Sequence, residues 1–435
     1  MTTYYVHKSG NDSNNGLTLG TAKKTIGAAV SLLGSADTVQ VYRGVYKETV
    51  APTTLVWTLK AIGRVIIDGE NLRSFGIQAN NINQPTMLRV IDGFEIRNCV
   101  SAGIYSGANN SLGSWPSTWL TIRNCHIHHC PRGVMGQPGT CSGHTVLDTV
   151  IHDCSIAACE LDNNGDNSNF QGNLERVTIY GCARGVSRFN SQGGQVNGAY
   201  DIKSSLFLNN AVALYSFGGA PNTPSSNYNS FFGNTKVASR NGTDYATLAD
   251  WFAATGRDAN SLSSDPLVID LAAGLVALQS ASPLLGAGFN GEDIGARGVA
   301  KFAQSEAFSH TDWGSGIMVD TQVAGGKIEL VPPATVGTFT STVYDLGTGV
   351  TRRLTGFDLM ADETEPTDVV DADIDDAGPN RKTIEVRMSA TVFSQAAGFP
   401  AWVKIEQGAN VVLPNTLAGR YIQYRLTLRK DGVEA

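Results

Sequence analysis

The sequence predicts an all-β protein: a right-handed parallel β-helix, wound as a single-stranded solenoid behind an N-terminal capping helix, followed by a C-terminal β-sandwich. Three observations predict it. Forty-eight glycines among 435 residues, with only short helical patterns, describe a chain that turns often. One register of residues recurs through the middle of the chain. Near the C-terminus a different, alternating pattern takes over.

The register is anchored on Cys99, Cys130, Cys154, Cys182, Asn210 and Asn234, at spacings of 31, 24, 28, 28 and 24. Three positions before these stand Ile96, Ile127, Ile151, Ile179, Phe207 and Phe231. Eight before the first five stand Ile91, Ile122, Val146, Leu174 and Ile202, and four after the middle members stand Val134, Ala158, Val186 and Leu214. Columns that stay apolar or small while loop length varies are what a coil needs if each rung stacks its inward side chains on the last, roughly 4.8 Å away. The expected boundaries are 1–35 for an N-terminal strand and capping helix, 36–243 for the β-helix, 244–300 for a closing segment with a short helix, and 301–435 for the sandwich.

Each element has its own reason. Ile26, Ala29, Val30 and Leu33 fall on one helical face within Thr21–Gly34, so a helix there can cover the open end of the coil, whose apolar cross-section and free strand edges need a cap. Tyr245 to Thr255 reads as a second short helix, with Leu248, Trp251 and Phe252 on one side and Gly256 as its stop. Beyond Phe302, the stretches Phe339–Gly347 and Lys382–Met388 alternate apolar and polar residues, which means strands with one buried face.

Composition limits the partners. A formal charge of -7 and 16% charged residues argue against nucleic acid, which needs a basic surface. An acidic polymer could bind only at a local basic patch. No run of eighteen apolar residues occurs and Met1–Lys8 lacks an apolar segment, from which we expect no membrane insertion, no secretory signal, and synthesis in a bacterial cytoplasm. Seven cysteines, all between Cys99 and Cys182, are read as reduced buried thiols. Cys125-His126-Ile127-His128-His129-Cys130 offers soft metal ligands, but cysteines that repeat once per rung point along an axis instead of converging, so no metal is expected there. Alternate carboxylates at Asp371, Asp373 and Asp375 could hold calcium, against the plainer reading of a solvated loop.

Tyr4-Tyr5-Val6 with Ser9-Gly10-Asn11-Asp12, then Lys24-Thr25-Ile26, Asp37–Val41 and Gly44-Val45-Tyr46, resemble the start of the pectate-lyase-like right-handed β-helix proteins. Ser264-Asp265-Pro266-Leu267, Ser282-Pro283-Leu284 and Asp293-Ile294-Gly295-Ala296 resemble their close. The strands Trp402–Ile405 and Gly419–Leu428 look like jelly-roll modules of phage tail proteins. The resemblance implies a groove along an outer face, worked by carboxylates for hydrolysis or by a neutralising cation with a base for β-elimination. It also implies a host-surface polysaccharide as ligand, a homotrimer, and a place in the virion, as tailspike, tail fibre or capsid spike, beside other virion proteins. A free polysaccharide lyase or glycoside hydrolase and a purely structural decoration protein are the alternatives.

The register nominates the site. Six positions after the anchor column lie Tyr105, Gly136, Glu160, Arg188 and Ser216, which predicts Glu160 and Arg188 as neighbours on adjacent rungs. Asp162 and Asn190 come two positions later, and the polar insertion from Leu161 to Gly172 holds Asp166. Glu160 with Asp162 or Asp166 could supply the acid and base of a glycosidase, favoured over a lyase because cations are few; an ion pair of Glu160 with Arg188 is the plain alternative. His152 with Asp153 is the second candidate, as a general base beside stacked His128 and Tyr180. Tyr105, Arg184, Asn190 and Tyr215 are expected to contact sugar.

Overall fold

The computed structural model describes residues 1–54, 56–80, 87–107, 118–136, 142–162, 170–189, 198–217, 225–271, 275–279 and 281–296, and only separate strands between 317 and 429. The chain divides into two compact units, Met1–Ala303 and Gln304–Ala435.

The first unit is a parallel β-solenoid. It opens with β1 (Thr3–Val6), β2 (Asp37–Tyr46), β3 (Trp57–Asp68), β4 (Phe75–Asn80), β5 (Met87–Arg97) and β6 (Ala102–Gly107). Five coils of three strands follow. They are β7 (Thr118–Arg123), β8 (His126–His128) and β9 (Arg132–Gly136); β10 (Ser142–Leu147), β11 (Val150–His152) and β12 (Ala157–Asp162); and β13 (Phe170–Glu175), β14 (Thr178–Tyr180) and β15 (Arg184–Phe189). The last two are β16 (Gly198–Lys203), β17 (Leu206–Leu208) and β18 (Val212–Phe217); then β19 (Ser225–Asn227), β20 (Ser230–Phe232) and β21 (Lys236–Arg240). Every strand pairs in parallel with its equivalent one coil away, giving three sheets: one through β7, β10, β13, β16 and β19, a second through β8, β11, β14, β17 and β20, and a third from β4 to β21. The long β5 joins the first two, pairing with β7 through its first half and with β8 through its second.

The bends between sheets explain the asparagine and glycine content. Asn124, Asp148, Arg176, Ser204 and Tyr228 turn the chain from first to second sheet with φ between 44° and 59°. One position before the anchor column, Asn98, His129, Asp153, Gly181, Asn209 and Gly233 turn it again with φ between 51° and 67°. The left-handed conformation is open to glycine and tolerated by Asn and Asp, which fill seven of these eleven corners; His129, Arg176, Ser204 and Tyr228 adopt it at the others.

The anchor column is the internal ladder that its spacing predicts. The Cys99 N–H donates to Cys130 Sγ and the Cys154 N–H to Cys182 Sγ, both at 3.4 Å. The Cys182 N–H donates to Asn210 Oδ1, and the Asn210 N–H to Asn234 Oδ1, both at 3.0 Å. A second ladder, absent from the sequence reading, runs five positions earlier: N–H groups of Cys125, Val177, Ser205 and Asn229 donate to Thr149 Oγ1, Ser205 Oγ, Asn229 Oδ1 and Ser261 Oγ. Between the ladders Ile96, Ile127, Ile151, Ile179 and Phe207 are fully buried, and Phe207 stacks on Phe231 with centroids 5.1 Å apart. Each such side chain contributes about 1.5–3 kcal/mol by leaving water.

One apolar column departs from expectation. Cys159, and not Ala158, is the partner of Val134 and Val186. The turn from Cys154 to Ala157 is one residue longer than the turn from Cys130 to Arg132, so every later residue of β12 moves by one column. The turn from Cys99 to Ala102 is lengthened in the same way.

Both ends are covered. The cap is shorter than predicted: α1 spans Ile26–Val30, because Lys23 bridges to Val6 and a 3-10 turn occupies Leu19–Thr21. Ile26, Ala29, Val30 and Leu33 are nevertheless all buried. Glu48 accepts the free N–H groups of Ile26 and Gly27 at the helix start, at 2.9 and 2.7 Å. At the other end α2 (Leu248–Thr255) is held by a Thr247–Asp250 capping box and stopped by Gly256 in the left-handed region. Trp251 is buried there, but Phe252 is 47% exposed, contrary to the predicted face, since in so short a helix the Leu248–Trp251 stripe alone meets the coil. The closing segment then lies on the outside of the second sheet: Val276, Leu284 and Ile294 pack with Val150, Tyr180, Leu206 and Leu208.

In the second unit the described strands Ile317–Val319, Val336–Thr340, Tyr421–Arg429, Lys382–Ser389 and Val403–Ile405 form one antiparallel sheet, in that order. Asp371, Asp373 and Asp375 lie outside the described residues.

Candidate functional site

The outer face of the third sheet gathers four of the nominated residues, Tyr105, Glu160, Arg184 and Tyr215. Because of the two longer turns, the column through β4, β6, β9, β12, β15, β18 and β21 reads Gln78, Tyr105, Met135, Glu160, Ser187, Tyr215 and Ser239. Three positions earlier on each strand runs a companion column: Phe75, Ala102, Arg132, Ala157, Arg184, Val212 and Lys236. The two columns touch diagonally where Phe75, Arg132 and Arg184 reach the next coil, while Lys236 pairs with Asp244. Phe75 stacks on Tyr105 with centroids 4.4 Å apart, Arg132 Nε pairs with Glu160 Oε1, and the Arg184 guanidinium sits 3.7 Å from the centre of the Tyr215 ring. Burial raises the Tyr105 hydroxyl pKa above its ordinary value.

The predicted pair of Glu160 with Arg188 does not form. Arg188 pairs across the ladder with Leu161 and Ser216, one position along from Glu160, and neighbouring residues of a strand face opposite ways. Leu161 belongs to the core, and Arg188 with it points inward, 3% exposed, where burial lowers its pKa to about 10. Glu160 is itself buried under Arg132, a partner the sequence reading missed. Asp162 ends the same strand two residues on, while its side chain, and Asp166 and Asn190 entirely, lie outside the described residues.

The coil interior carries further polar groups that composition does not announce. Arg89, Leu120, His144, Gly172 and Tyr200 are successive members of one inward column. His144 Nε2 and Tyr200 Oη, two coils apart, meet at 2.9 Å because Gly172 places no side chain between them. Burial depresses His144 to about 4.

The second constellation sits on the outer face of the second sheet. Arg97, His128, His152 and Tyr180 form one column, and Glu95, His126 and Val150 another. His152 Nδ1 lies 2.7 Å from Asp153 Oδ2, so the predicted His152–Asp153 contact exists. Its other nitrogen, Nε2, is 2.8 Å from His126 Nε2. The His152 ring is sandwiched between His128, at 4.8 Å, and Tyr180, at 4.4 Å. Glu95, almost fully buried, receives Arg64 Nε at 2.9 Å, Arg97 Nη1 at 3.3 Å and faces His128 Nε2 at 3.4 Å. Burial opposes its charge, but His128 and Arg64 prevail and hold the carboxyl far below its ordinary range. Burial, then His128, lowers His152 to about 4 against the pull of Asp153, and burial keeps His126 well below 6.5. With Nε2 turned toward His126, His152 does not offer its lone pair to an incoming substrate as a general base must. The Glu95–His126 column, four positions before the anchor, was readable by the same arithmetic that gave the His128–His152 column two positions before it.

No family model matches the sequence, and no curated protein matches it. Among solved structures the chain is similar to a crystal structure of pectate lyase Pel9A, at 15% identity and a TM-score of 0.40, over 68% of this chain and 96% of that one. It is also similar to XylC in complex with xylose, at 12% identity and a TM-score of 0.30, over 55% and 70% of the two chains. A rhamnogalacturonan lyase matches at 13% identity and 0.27, over 54% and 74%.

Proposed function

We propose that the chain binds an acidic polysaccharide along the outer face of the third sheet, as the recognition surface of a phage virion spike. The observation that carries the reading is the pairing of two columns on one face. Tyr105 and Tyr215 stand four coils apart in one, spanning roughly 19 Å, and Arg132, Arg184 and Lys236 recur on alternate coils in the other, roughly 9.6 Å apart. Aromatic rings take the apolar faces of sugars and cations take carboxylate or sulfate groups. A strand-regular spacing suits a polymer better than a small molecule. The protein's overall charge of -7 makes such a local run of cations the place for an acidic chain. The virion setting is supported by the resemblance of the C-terminal strands to phage tail modules.

Among the described side chains of this face two carboxylates appear, each held by a column cation: Glu160 by Arg132 and Asp244 by Lys236, which leaves Arg184, over the Tyr215 ring, as the column cation without a carboxylate partner among them. Hydrolysis needs two carboxylates about 5–9.5 Å apart, whereas Glu160 on β12 and Asp244 beyond β21 stand four strands apart, so the described face supports binding. The test is affinity electrophoresis of the full chain in gels containing purified acidic or neutral bacterial capsular polysaccharides. Retardation by an acidic polymer, weakened by salt and reduced about tenfold in Arg184→Ala and in Tyr215→Ala, is the expected result. Equal retardation of wild type and both variants, or retardation by neutral polymers alone, would refute the reading.

A further inference from the structure

We propose that His126, His128 and His152 form a binding site for a divalent transition metal, zinc foremost, on the outer face of the second sheet, with Glu95 placed to complete it. One ring nitrogen from each of the three histidines lies within 4.8 Å of the others. The register enforces this. His128 and His152 are directly paired residues of adjacent coils, and His126 lies two positions from His128 on the same strand, so all three rings leave the same face.

Tetrahedral zinc with Zn–N bonds of about 2.0–2.1 Å separates its ligand nitrogens by roughly 3.3–3.4 Å. The His126–His152 separation of 2.8 Å is shorter than that, and the widest separation is longer. Ring rotations on a fixed backbone therefore bring the set to coordination distance. The outer shell is already in place: the Asp153 carboxylate at 2.7 Å from His152 Nδ1 fixes that ring with Nε2 toward the site, as carboxylates do behind metal-bound imidazoles. Three imidazoles favour zinc, nickel or copper over calcium or magnesium.

The location also fits. The column that continues as Tyr180 and Leu208 is sealed by the closing segment, whereas the His128 and His152 side chains retain 12% and 10% exposure, enough for an ion to enter. Asp68, Glu95 and Asp153 set three carboxylates against the two guanidiniums of Arg64 and Arg97 around the cluster. The cysteines of the same segment cannot share the site, since Cys125 and Cys130 belong to the core on the opposite face. A bound ion would tie together strands β5, β8 and β11 at the edge of the closing segment, which packs on Val150 of β11.

The full chain, dialysed against a chelator, is titrated with zinc chloride by calorimetry and with cobalt chloride by visible absorption. One equivalent should bind with a dissociation constant in the micromolar range or tighter, give the absorption of four-coordinate cobalt and raise Tm. His128→Gln and His152→Gln should weaken binding at least 100-fold, and Asp153→Asn, which leaves all three rings in place and guards against a misfolded ligand variant, by about 10–100-fold. Cys130→Ser should bind as wild type does. Absence of binding at about 100 micromolar zinc, undiminished binding in the histidine and Asp153 variants, or loss in Cys130→Ser would each overturn the site.

Discussion

His144 has no exposed surface, donates or accepts at Tyr200 Oη, and stays neutral in the fold because burial lowers it to about 4 from an ordinary 6.5. The unfolded chain takes up the proton from pH 6.5 downward while the folded chain does so only near 4. Stability therefore falls as pH drops through that window, by about 2 kcal/mol at pH 5 from this residue. Urea unfolding of wild type and His144→Phe at pH 7 and pH 5 checks it: the loss between the two pH values should be smaller in the variant by about that amount. The thiols give a second prediction at this scale. Cys99, Cys125, Cys130, Cys154, Cys159 and Cys182 are all buried, and burial pushes Cys125 up to about 12. Of the seven cysteines, at most Cys141 should react with a thiol reagent in the native protein, and all seven after denaturation. Labelling of two or more native thiols would contradict the ladder. Membership of the anchor ladder was legible in the sequence because the buried column three positions before it stays Ile or Phe from Ile96 to Phe231. The mismatch of Glu160 with Arg188 was not, since a single extra residue in the Cys154–Ala157 turn moves the rest of β12, Glu160 included, by one column.

Among the elements, the corners carry the most specific chemistry. Asn210 accepts the Cys182 N–H and donates through Nδ2 to the Ile179 carbonyl and to Asn234 Oδ1, each at 3.0 Å. Asn210→Ala strands a buried N–H and a buried C=O, at about 1–3 kcal/mol each. Asn210→Cys restores the acceptor that Cys130 and Cys182 supply in earlier coils, so it should recover at least half of the loss in Tm, measured by thermal unfolding. Equal Tm in the two variants would mean that the ladder bonds contribute little. The second ladder shows what periodicity alone conceals: its members, Cys125, Thr149, Val177, Ser205, Asn229 and Ser261, change side-chain type from coil to coil, so they do not look like one column. The closing motifs were legible as resemblance, and their physical role is visible in the fold. Gly295 donates to the Ser204 carbonyl at 2.8 Å and Ala296 to Thr178 Oγ1 at 2.9 Å, fastening the segment that seals the second sheet.

For the whole molecule, the outer faces of the solenoid differ in what they carry. The second sheet is sealed by the closing segment over its later coils and carries the histidines over its earlier ones, while the third sheet presents aromatic and cationic columns to solvent. Parallel coils of this kind can bundle about a threefold axis, and we propose a homotrimer, for which light scattering at micromolar concentration should give three chain masses; a stable monomer would rule it out. The central claim is that the third sheet is the ligand face. Hydroxyl-radical footprinting of the full chain, with and without a retarding acidic capsular polysaccharide, tests it most directly. Protection should fall on Tyr105, Met135 and Tyr215 and leave Tyr180 and Phe252 unchanged. Protection confined to the second sheet or to the C-terminal unit, with Tyr105 and Tyr215 unaffected, would contradict the account.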